Sequence, residues 1–326
     1  MRRDARIDRA DLAADDEFGL PLLMRDRILW SVDEPHIEEA VLLRSLAPGP
    51  RALLTLESAA GQTQNGGMLQ FLYNTGDLAP DAVEAAELIG AREYVAFYAD
   101  VVAELPEGGL STDSEEREAV VDGLMDDGRF DDRLRELEDR FYALDAEVGT
   151  PLDLALRYVD EHPHEFFLSE QEAAADRDDF LLRLSAHVGA VPRASDDELE
   201  AAEAQLSRPL PPLLRRLYRE VGAHGWGPAG GFLPLLGDGR ESLVGSWAWA
   251  REEIHGPDPG EVWPDTMLPI VRLAAGDRFC VDASEPQLEV RRLELDRELS
   301  WYEGRPSMRW DAPSLRGWLE TWLKEA

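Results

Sequence analysis

Apolar residues change their spacing once along this chain, and that change constrains the fold more than any other feature. Up to about residue 190 they recur at intervals of three and four, the period of one helix face. Tyr94, Phe97, Tyr98 and Val101 form one stripe. Leu134, Leu137, Phe141 and Leu144 form a second, and Leu152, Leu156 and Val159 a third. Pro80 opens a segment that runs to Ile89 and stops at Gly90, with proline in the first turn and glycine past the end. Farther on, Ser195 can cap a helix over Asp196, Asp197 and Glu198, with Leu199, Ala202 and Leu206 on its apolar side. A second helix after Leu210-Pro211-Pro212 carries Leu213, Leu214, Leu217, Tyr218 and Val221. Short runs then take over. Phe232-Leu233-Pro234-Leu235, Met267 to Val271, Arg278 to Asp282 and Leu288-Glu289-Val290 read as strands, with Ala275-Gly276-Asp277 turning one pair. Leu315, Trp318, Leu319, Trp322 and Leu323 line a final helix. The expected architecture is two domains: an all-α helical bundle over 1–188, then an α+β domain over 193–326 with a small, mostly antiparallel sheet flanked by helices.

Charge and tryptophan shift at the same place. The whole chain of 326 residues has 67 Asp plus Glu against 33 Lys plus Arg, a formal charge of −34. Residues 1–190 hold 43 acidic and 17 basic side chains, and 191–326 hold 24 and 16. Eight of nine tryptophans fall in the later part, leaving Trp30 in the first. Gly189-Ala190-Val191-Pro192 reads as the linker between the two regimes. Lysine is represented by Lys324 alone. General base composition or salt adaptation explains acidity everywhere on a chain, but not its concentration in one half.

The same numbers exclude several classes of function. A phosphate surface repels a chain this acidic, so no direct nucleic-acid partner and no anionic membrane are expected. There is no apolar run of about 18 residues, and no apolar stretch follows Met1-Arg2-Arg3-Asp4-Ala5-Arg6, so neither a membrane span nor a secretory signal is expected. A cytoplasmic protein follows. Cys280 is the single cysteine, which excludes a disulfide framework and a multi-cysteine zinc site. His162-Pro163-His164-Glu165 is the best metal candidate, but the central proline breaks the helix and the side chains need not converge. Gly225 to Gly231 is glycine-rich yet lacks the Lys-Ser/Thr of a phosphate loop. No catalytic residue, metal ligand or cofactor is expected.

Three groups of residues remain as interaction candidates. Asn65, Gly66, Gly67, Gln70 and Asn74 interrupt the helical pattern, because Asn-Gly-Gly admits positive φ. They form either a corner locked by amide-to-backbone hydrogen bonds or a polar pocket. Asp122, Asp126, Asp127, Asp131, Asp132, Glu136 and Asp139 make a candidate acidic surface. Trp226, Trp249 and Asp277 make a candidate cleft in the second domain, since exposed tryptophan is a common anchor at interfaces.

Two family resemblances rest on these residues. Asn65-Gly66-Gly67 with Gln70-Phe71 and Asn74, then Ala79-Pro80-Asp81-Ala82 and Ile89-Gly90-Ala91, resembles the helical domain of the DNA-mimic protein family. Phe141-Tyr142 and Tyr158 to Pro163 fit its closing helices, so the resemblance covers roughly 18–180. Gln62 stands where that family usually has an acidic residue, and Met68 where it usually has an aromatic. Glu198, Glu203, Leu210-Pro211, Gly225-Trp226, Leu268-Pro269-Ile270, Gly276-Asp277 and Phe279 to Asp282 resemble, in that order, the SUKH superfamily over about 193–325. That superfamily includes bacterial immunity proteins and a fungal regulator of cell-wall synthesis. The resemblances imply a non-enzymatic protein, immunity or inhibitory in role, that sequesters a basic partner, either a toxin or a nucleic-acid-binding protein. Regulation or scaffolding of cell-wall synthesis is the alternative. An enzyme using His162, His164 and Glu165 is the least favoured reading.

Overall fold

The helical period of the first part becomes, among the described residues, eight α-helices packed around one of their number. The computed structural model describes residues 3–12, 19–30, 38–126, 128–237, 239–253, 263–273, 276–294 and 307–325. The chain divides into two compact units, Met1–Ile7 with Glu17–Leu168, and Asp8–Asp16 with Ser169–Ala326. The first comprises α1 (Gly19–Trp30), α2 (Glu39–Arg44), α3 (Pro48–Thr75), α4 (Ala79–Leu88), α5 (Arg92–Ala103), α6 (Ser114–Met125), α7 (Gly128–Val148) and α8 (Pro151–Glu161). α3 is central. It packs against α1, α2, α4, α6, α7 and α8, and its buried residues face all round, as a helix enclosed by others requires. Tyr94, Phe97 and Phe141 meet edge to face or tilted at 5.7–6.3 Å between ring centres, joining α5 to α7. Thr150 and Asp153 cap α8 reciprocally. α8 turns Pro151, Ala155 and Val159 inward, so the expected stripe is rotated and Leu152 and Leu156 are half-buried.

A buried arginine closes the lower end of α3. Arg117 donates to the carbonyls of Tyr73 at 2.8 Å, Asn74 at 3.0 Å, Ser111 at 2.9 Å and Thr112 at 3.0 Å. Its remaining charge meets Asp77 at 3.4 Å, and both side chains are buried. Burial outweighs the neighbouring Arg117 and Arg44 guanidiniums and pushes the Asp77 carboxyl up to about 6.

The second unit contains α9 (Glu170–Val188), α10 (Asp196–Leu206), α11 (Pro212–Arg216), α12 (Leu243–Glu253), the strands β1 (Met267–Arg272), β2 (Arg278–Asp282), β3 (Val290–Glu294) and β4 (Ser307–Ala312), and α13 (Leu315–Glu325). α11 continues into a π-helical turn over Leu217–Val221. The sheet is an antiparallel meander in the order β1-β2-β3-β4. The ring of Trp318 on α13 meets Phe279 of β2 at 4.7 Å, and α12 packs against β1.

The compact units meet at 168/169, so the expected break at 188–193 falls inside the second of them. α9 belongs there for two reasons. Phe180, Leu181 and Leu184 enter the same core as Leu199, Tyr218, Val281 and Leu319. Arg183 also grips Glu320 of α13 through two bonds of 2.8 and 2.6 Å, and Arg316 of α13 reaches Asp176 at 2.6 Å. The expected strands also need correction. Phe232 to Leu235 is not a strand: Phe232 makes one isolated bridge to Val271, and Tyr218 donates to Leu233 O at 2.8 Å. β3 starts at Val290, because Leu288 has φ 57° and turns the chain. Ala275 of the expected turn lies outside the described residues. Helix α12 and strand β4 have no counterpart in the sequence reading.

Two expectations follow. Burying three apolar side chains of this size contributes about 5 kcal/mol or more, a large share of one domain's stability. A fragment 169–326 should therefore give a cooperative thermal transition by circular dichroism, whereas 193–326 should lack one. Equal transitions would show that α9 is dispensable. Separately, Asp77 titrates at 3.8 in the unfolded chain and near 6 when folded. The folded state thus binds the extra proton, and this stabilisation is complete below about pH 4 and lost as pH rises through 6. In urea titrations the stability of the parent relative to Asp77→Asn should fall between those two pH values. A constant difference across that window would refute the linkage.

Candidate interaction surfaces

Asn65-Gly66-Gly67 breaks α3 as its glycines allow. Gly67 takes φ 78° and ψ −176°, a conformation closed to side-chain-bearing residues, and the helix restarts at Met68. The restarted segment is capped from α7: Glu138 accepts from Met68 N at 3.2 Å, and Tyr142 donates to Thr63 O at 3.3 Å just before the break. The amides do not bind backbone as expected. Gln70 and Asn74 both donate to Gln62 Oε1, at 2.8 and 2.7 Å, making Gln62 the centre of the corner. Asn65 is exposed. These residues are brought together, then, but as a lock on the break.

The acidic candidates fall into two groups that behave differently. On α7, Asp131 and Asp132 pair with Arg135, and Glu136 pairs with Arg133 at 2.9 Å. Their charge is largely answered within the helix. On α6 the situation is reversed. Arg117 and Val121 point inward, which turns Glu115, Glu118 and Asp122, with Asp126 at the C-cap, outward along one stripe, all exposed. No cation pairs with these four among the described residues, and Asp122 accepts a hydrogen bond from the Tyr73 hydroxyl. That bond favours the protonated phenol and raises Tyr73 above the ordinary tyrosine range. Glu115 and Glu118 were missing from the candidate set, although the spacing of three and four that links them to Asp122 and Asp126 is visible in the sequence. Asp127 lies outside the described residues. Asp139 is exposed on α7 and helps line an open groove of about 470 Å³ with Leu69, Asp131, Leu134, Arg135 and Glu138.

The structure does not assemble the cleft expected in the second unit. Trp226 is 5% exposed, stacks on Phe232 at 4.3 Å, and donates to Gly222 O at 2.7 Å. Its ring is therefore core, and Gly222 makes room for it, since a Cβ there would lie 2.6 Å from the ring. Trp249, half-buried on α12, lies under the Arg240 guanidinium at 3.7 Å. Asp277 is buried beside Arg292 at 3.4 Å. Among the described residues the exposed tryptophan is instead Trp310 on β4.

Chemistry-bearing residues are placed structurally as well. His162 ends α8, stacks on Tyr158 at 4.0 Å, and its Nδ1 lies 3.1 Å from Tyr158 O. Glu165 accepts from the Tyr158 hydroxyl at 3.1 Å, while His164 is exposed. Among the described residues, no three His, Cys, Asp or Glu side chains converge to hold a metal ion. Cys280 is fully buried, and burial raises its thiol well above the ordinary range. No helix of the described residues is long and apolar enough to cross a membrane.

With this geometry in view, comparison with known families gives two matches. Residues 44–162 match the family of DMP19-like proteins, and residues 193–321 match the SMI1/KNR4 family, SUKH-1. The first runs from the end of α2 past the end of α8, and the second from just before α10 into α13. α9 lies between the two matches. No curated protein and no solved structure matches the chain.

The break in α3 yields one expectation. Gly67→Ala places a methyl group against the Glu138 carboxylate and in a forbidden backbone region. It should cost about 1–3 kcal/mol in urea unfolding, and Glu138→Ala should cost less, because it removes one cap without straining the chain. An unchanged midpoint for Gly67→Ala would mean that the break is not required.

Proposed function

We propose that the protein acts in the cytoplasm as a non-enzymatic inhibitory or immunity protein that occupies a basic partner, either a toxin or a nucleic-acid-binding protein. The observation that carries this reading is the α6 stripe of Glu115, Glu118, Asp122 and Asp126, exposed and without a cation partner among the described residues. At 1.5 Å rise per residue, its 11-residue reach covers about 16 Å. A duplex presents one charge per about 1.7 Å over the same length. The stripe is thus sparser than the polymer it would replace, so a partner must also be held by shape and by apolar contact. The matches to DMP19-like proteins and to the SMI1/KNR4 family support an interaction role for each unit. The second match also supports the alternative, a regulator or scaffold of cell-wall synthesis.

The test uses a candidate basic partner, a DNA-binding protein or a toxin, with its complex with DNA, or its toxicity, as the readout. Exposed charge pairs contribute about 0.2–1 kcal/mol each, so converting all four α6 carboxylates to amides should weaken inhibition at least about fivefold and flatten its salt dependence. Converting Asp131, Asp132 and Glu136 instead should change little, since arginines already answer them. Equal inhibition by the α6 variant, with its fold intact by circular dichroism, would sink the proposal.

A further inference from the structure

A sheet of four strands in sequential order has two edges, and they are treated differently here. The outer side of β1 is occupied by the preceding loop: Leu233 N donates to Ile270 O at 2.8 Å, Gly230 N to Arg272 O at 3.1 Å, and Phe232 bridges Val271. The opposite edge is β4. It pairs with β3 through Met308, Arg309, Trp310 and Ala312, and no other described strand joins it. On this edge stands Trp310, 56% exposed, whereas Trp226, Trp247 and Trp263 are all buried. An open edge strand bearing a large aromatic is the arrangement that folded proteins ordinarily avoid unless something pairs with it.

The residues around Trp310 select the occupant. Arg309 and Asp311 flank it, both exposed, on the side of the strand opposite to its ring. We infer that β4 pairs antiparallel with β4 of a second copy, about a two-fold axis at Trp310. In that register Trp310 faces the partner's Trp310, Arg309 faces the partner's Asp311, Asp311 faces the partner's Arg309, and Met308 faces the partner's Ala312. Residues directly opposite in an antiparallel pair share a face, so both ion pairs form on one side and the aromatic pair on the other. Moving the axis to Arg309 or to Asp311 sets like charges against each other, which fixes the register. Neither charged group is used up within the chain. Arg309 is 3.3 Å from Glu294 through Nε, leaving its other nitrogens, and Asp311 accepts one bond from Trp318. The large net charge of each copy opposes approach, but charges beyond about 8 Å are screened at physiological salt.

Sedimentation velocity of the full chain at 0.15 M salt, from about 2 to 200 µM, tests this. A reversible monomer–dimer equilibrium is expected. Trp310→Thr, which keeps strand propensity, should weaken it at least about tenfold. R309D and D311R should each weaken it, because each puts like charges across the axis, and the R309D/D311R pair should restore it. The double reversal also controls for damage to the monomer, since it carries both changes. A monomer at every concentration would overturn the inference and leave the edge for an extended segment of another protein. A dimer indifferent to all these changes would overturn it equally, because association would then run through another surface.

Discussion

The central helix of the first unit has to stop and restart within its own length, and much of the unit is arranged around that interruption. A break frees backbone groups that cannot be left buried without partners. The restarted segment from Met68 to Thr75 receives a carboxylate at its beginning, Glu138 of α7, and a guanidinium at its end, Arg117 of α6. Negative charge at a helix start and positive charge at its finish are the favourable senses of the helix dipole. Both groups come from other helices, so the break ties α3, α6 and α7 together. Gln62 completes the lock by accepting from Gln70 and Asn74.

That lock has an outward consequence. Once Arg117 and Val121 are committed inward, the rotation of α6 is settled, and its carboxylates must face away. α7 is settled by Leu134, Leu137, Phe141 and the inward Glu138, and it carries its own arginines beside its acids. Two neighbouring acidic helices thus end with different surfaces: the outward stripe of α6 has no cation partner among the described residues, whereas Asp131, Asp132 and Glu136 of α7 pair with arginines of their own helix. Counting acidic residues along the sequence cannot separate them. The helix phase, which the buried arginine sets, can.

The helical class of the first part, the break at Asn-Gly-Gly, β1, β2 and the final helix were all legible, because each depends on local periodicity or on a backbone only glycine adopts. Strand β4 went unread although Ser307-Met308-Arg309-Trp310-Asp311-Ala312 alternates polar and apolar residues: its apolar set is one Met, one Trp and one Ala, with no β-branched residue to mark a strand. Helix α12 was hidden by Gly245 and by two tryptophans at a spacing of two, which reads as a strand face as readily as a helix. Trp226 was read as an interface residue because its glycine-rich surroundings resemble an exposed loop. The missing side chain of Gly222 instead makes room for the ring. The linker at 189–192 is a real change in composition, but composition follows surface and α9 is held by its buried side.

Arginine decides how far the acidity of this chain can be read as function. Nearly all its cations are arginines, and many are bound inside a unit: Arg117 to four carbonyls, Arg278 to the carbonyls of Gly276, Asp277 and Arg240, Arg183 to Glu320, Arg316 to Asp176. A planar guanidinium can satisfy several acceptors at once in a way an ammonium cannot, which suits it to such sites. Arg117 and Arg278 spend their bonds mainly on carbonyls rather than on surface carboxylates. Uniform adaptation to salt would spread the acidic surplus evenly over both units. The two units differ only modestly in this respect, since α9 carries acids into the second, but on α6 the surplus falls in register along one exposed stripe, the arrangement a basic groove on another protein could recognise.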